Sequence, residues 1–559
     1  MQENGKKEFV LRVRLAFEPD RLNPMLSALT QATQIERKIF LPLADYNPNT
    51  LILEPILMTE SPKITQIVEG PYAGGAEYDL NILPGATWDD GTSITGFDYA
   101  FTMKAALNPF ISNVAWQSHM DHIVDIVVDS TDSLHIKVIT DTEYILSESV
   151  IITNPIYPAH IYDPDQMLAP YSFSDIKQLA SVNHQDVNQR LKDFADQFNS
   201  DEYSRTIVQG AGPYEFVEWI PNQQIILQRK DNWWGNRNID KHPLMESKPT
   251  KIIYYFIPDA QTAITALKDG RIDVVAELSP EQYIDLESYN VKARSLTLRT
   301  APLLQYYFIA YNNDHAILND KRVRKAISHL MDIQTLADKL FFGLATPTHG
   351  PIIPELPAYD TSLASIAFDP ETSNLLLAEA GWTDSNGNGI LDKNLNGTFT
   401  ELSLTIMTSR SRLSQDVAIL LKEQAQQVGI FLEIMPLDLR NLVQTARRGE
   451  YDMACLASVQ EVGPYDPYNT WHSDNASTNG NNWCKFRNPE ADKIIEKIGH
   501  TLDEGRRNEL YKKLQRIIFE DQPALFLVSP KFCMATNKHL IFNPTAMRPG
   551  YFENTFSAN

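Results

Sequence analysis

Four residues of one glycine-rich stretch have the types and spacing of a calcium-binding loop. Asp384, Asn386, Asn388 and Asp392 occupy positions 1, 3, 5 and 9 of the loop template, in which oxygens of alternating residues surround the ion. Position 12, which normally supplies a bidentate carboxylate, is Leu395, so only two of these ligands carry charge. The alternative is a Gly/Asn-rich turn between a helix and a strand. The missing acid favours the turn, and we predict no tight metal site here.

Other carboxylates and imidazoles are also candidates for chemistry. His119 and His122 could point the same way on a helix, but no third metal ligand is evident, which favours surface histidines. Asp90 precedes a glycine in a predicted turn. Asp98 follows Thr95 by three residues, the spacing of a capping box for a helix over 97–107. Turn and cap roles account for both carboxylates, so we predict no catalytic site.

Two arginines at the start of a predicted helix over 320–332 could bind an anion. Ion pairing of Arg322 and Arg324 with nearby acids on the helix surface is the simpler explanation. The sequence contains no glycine-rich phosphate loop and no HExxH, GxSxG or CxxC motif. We therefore expect no cofactor.

Three cysteines, Cys455, Cys484 and Cys533, are odd in number and far apart in sequence. This spacing forms neither a disulfide framework nor a zinc pattern. One pair could bridge in an oxidising compartment, and three buried thiols are the alternative that we favour.

Length and charge restrict the class of protein. A chain of 559 residues is too long for one hydrophobic core, so two or three domains are expected. Its net charge of −22 argues against nucleic acid and anionic membrane surfaces as partners, because phosphate binding requires basic clusters. No apolar run approaches the roughly 20 residues needed to cross a bilayer. The polar start MQENGKKEFV has no signal-peptide core, which by itself indicates a cytoplasmic protein.

The elements that would position a site are clearest in residues 210–235, GAGPYEFVEWIPNQQIILQRKDNWWG. Alternation predicts strands over 214–220 and 224–229, joined by a Pro-Asn turn. Gly210 and Gly212 are predicted to adopt backbone angles that other residues resist. A helix over 414–428 between strands 402–407 and 430–435 predicts a βαβ unit later in the chain.

Several of these segments resemble a known family. The hairpin matches the pattern GxGPYxFxxW…VxLxRxxxYW. WDDGTSITGFDYAFT precedes it, and AITALKDGRID, DKRVRKAISHLMD and NPEADKII follow it, all in the family's order. The chain is identified as similar to the family 5 extracellular solute-binding proteins, from residue 9 to about 542. The resemblance implies an α/β, two-lobed periplasmic-binding-protein-like fold, of type II in its large cluster C form, with an extra inserted domain.

The resemblance also implies a domain plan and a function. Lobe I would comprise 1–50, 207–300 and 525–559, an inserted smaller domain 51–206, and lobe II 301–524. By hinge closure the protein would capture a small solute, an oligopeptide or peptide-like compound, and deliver it to the permease of an ABC importer without chemical change. A ligand-sensing adaptor of the same fold, or a hydrolase, is the alternative.

Site residues follow from the same resemblance. In peptide-binding relatives a carboxylate after a strand of lobe II pairs with the ligand's ammonium, and alignment from Tyr451-Asp452 places Glu461 there. The family's usual tryptophan just upstream is absent, and a solvated loop glutamate is the alternative. For the other wall the implied residues are Leu26, Ser27 and Ala28, with Tyr465 and Trp471 as apolar walls.

The implied location is the periplasm or cell envelope, with a possible lipid anchor and with Met1 in place of an export signal. The expected assembly is a monomer.

Overall fold

The computed structural model describes residues 8–113, 116–117, 120–181, 189–238, 241–395, 397–477 and 480–559. The chain divides into two compact units. Unit 1 comprises Met1–Ala301 with Phe532–Asn559, and unit 2 comprises Pro302–Lys531. Within the described ranges, no helix is both long and apolar enough to span a membrane.

The strands are β1 (Val10–Leu15), β2 (Ala44–Tyr46), β3 (Leu53–Pro55), β4 (Lys63–Gln66), β5 (Ala76–Asn81), β6 (Ile123–Val128), β7 (His135–Thr140), β8 (Tyr214–Ile220), β9 (Gln224–Arg229), β10 (Lys251–Phe256), β11 (Val274–Val275), β12 (Leu296–Pro302), β13 (Gln305–Tyr311), β14 (Ala345–Pro347), β15 (Asp392–Leu395), β16 (Thr398–Glu401), β17 (Ser403–Ser409), β18 (Phe431–Leu437), β19 (Met453–Val459), β20 (Ala524–Asn537), β21 (Leu540–Ile541) and β22 (Ser557–Ala558).

The α-helices are α1 (Thr30–Ile39), α2 (Gly96–Leu107), α3 (Ser147–Ile152), α4 (Ala159–Tyr162), α5 (Phe173–Ser181), α6 (Gln189–Phe198), α7 (Ala260–Lys268), α8 (Pro280–Ala293), α9 (Lys321–Ser328), α10 (Ile333–Lys339), α11 (Pro370–Glu379), α12 (Arg412–Gln427), α13 (Leu439–Arg448), α14 (Tyr468–Trp471), α15 (Pro489–Gly499) and α16 (Glu504–Asp521).

Unit 1 is organised on a sheet in the order β11-β1-β10-β9-β8. Strand β1 runs parallel to both β10 and β11, while β10, β9 and β8 are antiparallel. Leu11, Val13 and Leu15 alternate along β1 and are buried, which leaves Arg12 and Arg14 on the other face. A separate antiparallel sheet, in the order β4-β5-β7-β6, occupies residues 63–140. Helix α2 follows a capping box of Thr95 and Asp98, as predicted.

The hairpin β8–β9 has the bounds predicted from the sequence, but its glycines have a different role from the one predicted. Neither Gly210 nor Gly212 has a positive φ. A Cβ atom at either residue would instead collide with main-chain atoms at the end of α1. The amide of Gly212 donates to the carbonyl of Ile39 at 2.7 Å. Both glycines are therefore required by close approach of two backbones rather than by unusual dihedral angles.

The aromatic end of this hairpin fixes the same glycine segment. The indole Nε1 atoms of Trp233 and Trp234 both donate to the carbonyl of Ala211, at 2.8 and 3.1 Å. Lys230 Nζ donates to the carbonyl of Gly210 at 2.9 Å. These residues therefore stabilise a turn.

Unit 2 contains a sheet in the order β18-β17-β19-β13, followed by the first part of β20. Strand β17 is parallel to both β18 and β19, and β13 is antiparallel to β19 and β20. Helix α12 connects β17 to β18 and buries Leu421 in the core that contains Ile309, Leu404 and Ile406. The βαβ unit predicted from the sequence is therefore present.

The division between the two compact units falls within strand β20, and the boundary predicted at residue 525 stays a prediction. Leu525 and Phe526 pair with Ile309 and Phe308 of β13, and the compact units separate at Phe532. One continuous strand, β20, contributes its first half to unit 2 and its second half to unit 1. The strand contains Ser529 and Pro530, residue types common in turns, yet its backbone stays extended through them. The three-part division of the chain, with 51–206 as a separate domain, stays a prediction.

Candidate functional site

The predicted wall at Leu26, Ser27 and Ala28 lies in unit 1, in a turn organised by the buried side chain of Asn23. The amides of Leu26 and Ser27 donate to the carbonyl of Asn23 at 2.9 and 2.8 Å. Tyr157 Oη donates to Asn23 Oδ1 at 2.7 Å. Leu26 is buried, Ser27 is half-buried, and Ala28 is exposed. Of the three residues, only Ala28 is exposed.

A buried carboxyl group lies beneath this turn. Ser27 Oγ donates to Glu36 Oε2 at 3.0 Å. Glu36 Oε1 is buried and has no hydrogen-bond partner among the described residues. Burial raises the pKa of Glu36 to about 8, with a small further rise from the negative charge of Asp20. Sequence reasoning missed this group, because its position on α1 looks like an ordinary polar helix residue.

Glu461, the predicted partner of an ammonium, lies in unit 2 two residues after the end of β19. The preceding residue, Gln460, is buried and fixes the end of the strand. Its Oε1 accepts from the amide of Ile353 at 2.9 Å, and its Nε2 donates to the carbonyl of Pro351 at 3.0 Å. Glu461 itself is exposed and has no hydrogen bond or ion pair to any described residue. Its carboxylate is therefore available, and this position allows both ligand contact and simple solvation.

Tyr465 and Trp471 lie on the same segment as Glu461 but are packed differently. The amide of Tyr465 donates to Tyr511 Oη at 3.0 Å, and burial raises the pKa of Tyr465 to about 12. Trp471 is 3% exposed and packs against Phe486 and Phe526, with ring centroids 6.2 and 6.1 Å away. This position favours a role for Trp471 in the core of unit 2 rather than in a ligand wall.

In the calcium-like loop, side-chain oxygens accept hydrogen bonds from the loop's own backbone amides. Asp384 accepts from the amides of Gly387 and Gly389, at 2.7 and 3.0 Å. Asp392 accepts from the amide and the hydroxyl of Ser385, at 2.8 and 2.7 Å. The side chain of Asn388 donates to Glu401 Oε1 at 2.8 Å, and Asn386 Oδ1 accepts from the amide of Asn388 at 2.9 Å. The candidate ligand oxygens of Asp384, Asn386 and Asp392 therefore already accept hydrogen bonds within the turn.

Across the ranges that the structure describes, no three His, Cys, Asp or Glu side chains are grouped closely enough to hold a metal. His122 Nδ1 lies 3.2 Å from Asp141 Oδ1, and His119 falls outside the described residues. Cys484 and Cys533 are buried, Cys455 is half-buried, and no disulfide joins any two of these three described residues. Burial raises the pKa of Cys455 and of Cys484 to about 12.

One pocket, which the sequence did not predict, lies where the parallel strands of unit 1 end. It has a cavity volume of about 40 Å³. Its walls are the end of β1 (14–16), the residues after β11 (276–277), the first turn of α1 and the segment 548–551. The carboxyl ends of parallel strands are where α/β proteins commonly bind ligands. We refer to it below as the β1 pocket.

Arg14 is the buried charged group of the β1 pocket. Its Nε donates to the carbonyl of Ile257 at 2.9 Å, and its Nη2 donates to the carbonyl of Pro258 at 3.0 Å. Burial lowers the pKa of Arg14, and the carboxylate of Glu277 partly opposes this effect. Alternation along β1 placed Arg14 on the polar face, but the sequence could not show which distant segments meet it there.

Comparison with known proteins identifies the class to which this chain belongs. Residues 69–482 match the model of bacterial extracellular solute-binding proteins, family 5 Middle, and the chain is a member of that family. The family resemblance and the fold class predicted from the sequence are thereby confirmed.

Particular relatives extend the match beyond the family model. The chain is 25% identical over 533 residues to the oligopeptide-binding protein AppA of Bacillus subtilis, covering 94% of this chain and 86% of that protein. It is 23% identical to the periplasmic oligopeptide-binding protein OppA of Salmonella typhimurium, covering 79% and 75%. The nickel-binding periplasmic protein of Escherichia coli is 24% identical over 55% of this chain and 56% of its own length.

Solved structures show the same fold. AppA of Bacillus subtilis in complex with a nonapeptide superposes with a TM-score of 0.69 at 23% identity, covering 99% of both chains. NikA of Brucella suis in complex with Fe(III)-EDTA superposes with a TM-score of 0.75 at 19% identity, covering 98% of this chain and all of that one. Proteins of this one fold therefore hold ligands of very different chemistry.

Proposed function

We propose that this protein is an extracytoplasmic binding protein that captures a peptide or peptide-like solute and delivers it to an ABC importer. The observation that carries the proposal is the match to an oligopeptide-binding protein over 94% of the chain, within a family of extracellular solute-binding proteins. The ligand is bound and later released without chemical change, so the function requires no catalytic group. We infer further that the protein acts as a monomer in the periplasm or at the cell envelope and that it binds no nucleic acid.

The position of one acidic group supports a ligand with a positively charged end. Glu461, after β19 of unit 2, presents a carboxylate that has no partner among the residues the structure describes. A free carboxylate of this kind suits the α-ammonium of a peptide, because a charge-assisted hydrogen bond is about twice as strong as a neutral one. The closing of the protein around its ligand stays a prediction.

The decisive experiment is native mass spectrometry of the protein isolated without denaturation. The expected result is a set of retained peptides, released intact on unfolding. The same preparation, freed of ligand, is then heated with a synthetic tetrapeptide mixture. At a hundredfold excess over Kd a ligand stabilises by about 2.7 kcal/mol, which raises Tm by roughly 5–10 °C for a unit of this size.

Two outcomes would contradict the proposal. Retention of haem or of a nickel complex, with no response to peptides, would assign a different solute. Cleavage of the tetrapeptides during incubation would assign a hydrolase instead of a binding protein.

A further inference from the structure

Arg14 is a buried cation with no acid in contact. The residue is 9% exposed, and both of its side-chain hydrogen bonds go to neutral main-chain carbonyls. No described carboxylate lies within 4 Å of it, and its Nη1 donates no hydrogen bond in the described part of the chain. A buried charge normally has an ion-pair partner. Arg324 of unit 2, which is buried similarly, has Asp521 Oδ1 at 2.8 Å.

The β1 pocket gives Arg14 room for such a partner. A water needs about 10–15 Å³ of cavity volume, so about 40 Å³ accommodates two or three waters or one planar group of a few atoms. A carboxylate has this size, and its two oxygens match the guanidinium fork.

Other groups around the pocket favour a negative charge. Arg548 lines the same pocket. Helix α1 begins at its wall, and Leu29 at the N-cap provides no side-chain hydrogen bond to the first turn. The positive end of the helix dipole is therefore left for another acceptor. Two guanidinium groups and one helix N-terminus therefore line the same pocket in a chain with a net charge of −22.

Glu277 limits which anion fits. It is exposed, lines the same pocket, and has no hydrogen bond or ion pair to a described residue. Its φ of 56° holds the backbone in the left-handed region. A carboxylate here opposes a second negative charge in the pocket, so a singly charged group is favoured over a phosphate dianion.

We propose that the β1 pocket is a carboxylate subsite, in which Arg14 pairs with one carboxylate of the bound solute. As part of peptide capture, it rests on the proposed function, and the carboxylate is then the C-terminus or an acidic side chain of the peptide. A free small carboxylate shares this chemistry, so the experiment must separate the two sources.

The direct test follows the side-chain Nε–H signal of Arg14 by nitrogen-15 NMR of the full chain, identified by its loss in Arg14→Lys. N-acetylglycine is the probe, and N-acetylglycinamide is its uncharged match. We expect a saturable shift of the Arg14 signal with the acid and none with the amide. Arg271, an exposed arginine of the same unit that pairs with Asp269, is the internal control and should not shift.

An exposed variant keeps the test independent of any folding defect in Arg14→Lys. Glu277→Gln removes the opposing charge, so it should tighten N-acetylglycine binding roughly threefold to tenfold. An Arg14 signal unaffected by the acid, or shifted equally by acid and amide, would overturn the subsite. Unchanged or weaker binding in Glu277→Gln would overturn the role of Glu277.

A second arm separates the subsite from peptide capture. A tetrapeptide mixture with free C-termini should raise Tm more than the same mixture as C-terminal amides, and Arg14→Lys should reduce that difference. If the Arg14 signal responds to N-acetylglycine but neither mixture binds, the subsite stands and peptide capture fails. If both mixtures bind equally and the Arg14 signal does not respond, peptide capture stands and the subsite fails.

Discussion

Lys38 of α1 and Glu553 near the C-terminus form an ion pair inside unit 1, with Lys38 Nζ and Glu553 Oε2 2.9 Å apart. Their side chains are 2% and 0% exposed. Gln34 also donates a hydrogen bond to Glu553, on the other carboxylate oxygen. The pair therefore ties the last residues of the chain to its first helix. Burial lowers the pKa of Lys38, and the charge of Glu553 opposes that effect.

Replacing only one residue of this pair should lower the free energy of unfolding substantially. Lys38→Met leaves the carboxylate of Glu553 buried without its partner, a change worth about 3–5 kcal/mol in comparable cases. The double variant Lys38→Met/Glu553→Gln should lose much less than the sum of the single losses, because it removes both charges. Equilibrium urea unfolding measures all three variants. The control is Lys137→Met, which breaks an exposed pair with Glu77 in the same unit and should change stability little. Additive single losses would show that the buried charges do not interact.

Glu36 should make stability depend on pH. Its pKa in the folded protein, about 8, is above the ordinary carboxyl value of 4.5, so the folded state holds a proton that the unfolded state has released. Stability from this group is fully present below pH 4.5 and decreases as pH rises to about 8, by up to about 1.4 kcal/mol per pH unit.

Glu36→Gln should remove this dependence. The variant should match the wild type near pH 4.5 and exceed its stability at pH 8, because glutamine is never charged and still accepts from Ser27 Oγ. Thermal melts across this pH range provide the measurement. Parallel pH profiles for the two proteins would contradict the prediction.

The loop at Asp384 should not respond to calcium. Asp384→Ala removes the acceptor of two glycine amides and should lower Tm modestly. Addition of calcium at about 1 mM, the range of weak extracellular sites, should leave the Tm of wild type and variant unchanged. A calcium-dependent rise in Tm that disappears in the variant would show a true metal site.

Glu461 should bind a free amino group of the solute. Glu461→Gln is expected to weaken binding by roughly tenfold to a hundredfold, since a charge-assisted hydrogen bond contributes about 1.5–3 kcal/mol. Stability should change little because the side chain is exposed. Acetylation of the peptide's amino terminus should cause a similar loss in the wild type and little further loss in the variant. Calorimetry on the four combinations tests this, and additive losses would show that the two groups do not meet.

The hairpin shows what the sequence could predict. Alternating side chains, paired glycines and a Pro-Asn turn are local signals, and they placed β8 and β9 at their observed bounds. The reason for Gly210 and Gly212 was not local, because the atoms they must avoid belong to α1.

Arg324 and Arg14 show what the sequence could not predict. Arg322 pairs with Asp320 at the surface as predicted, but Arg324 is buried and pairs with Asp521, far along the chain. The surface interpretation of Arg324 was wrong. Arg14 likewise meets Ile257, Pro258 and segment 548–551, which only the folded sheet brings to it. Local patterns predict an element and its polar face, and they do not predict what long-range packing places against that face.

The three native thiols are buried or half-buried, which makes the protein suitable for labelling at an introduced cysteine. The thiolate is the reactive form of cysteine, and a pKa of about 12 keeps Cys455 and Cys484 protonated at neutral pH, while Cys533 is buried. A cysteine introduced at an exposed residue such as Val459 would therefore be the fast-reacting thiol of the chain. A fluorophore attached there, two residues from Glu461, would report solute binding optically without removal of any native cysteine.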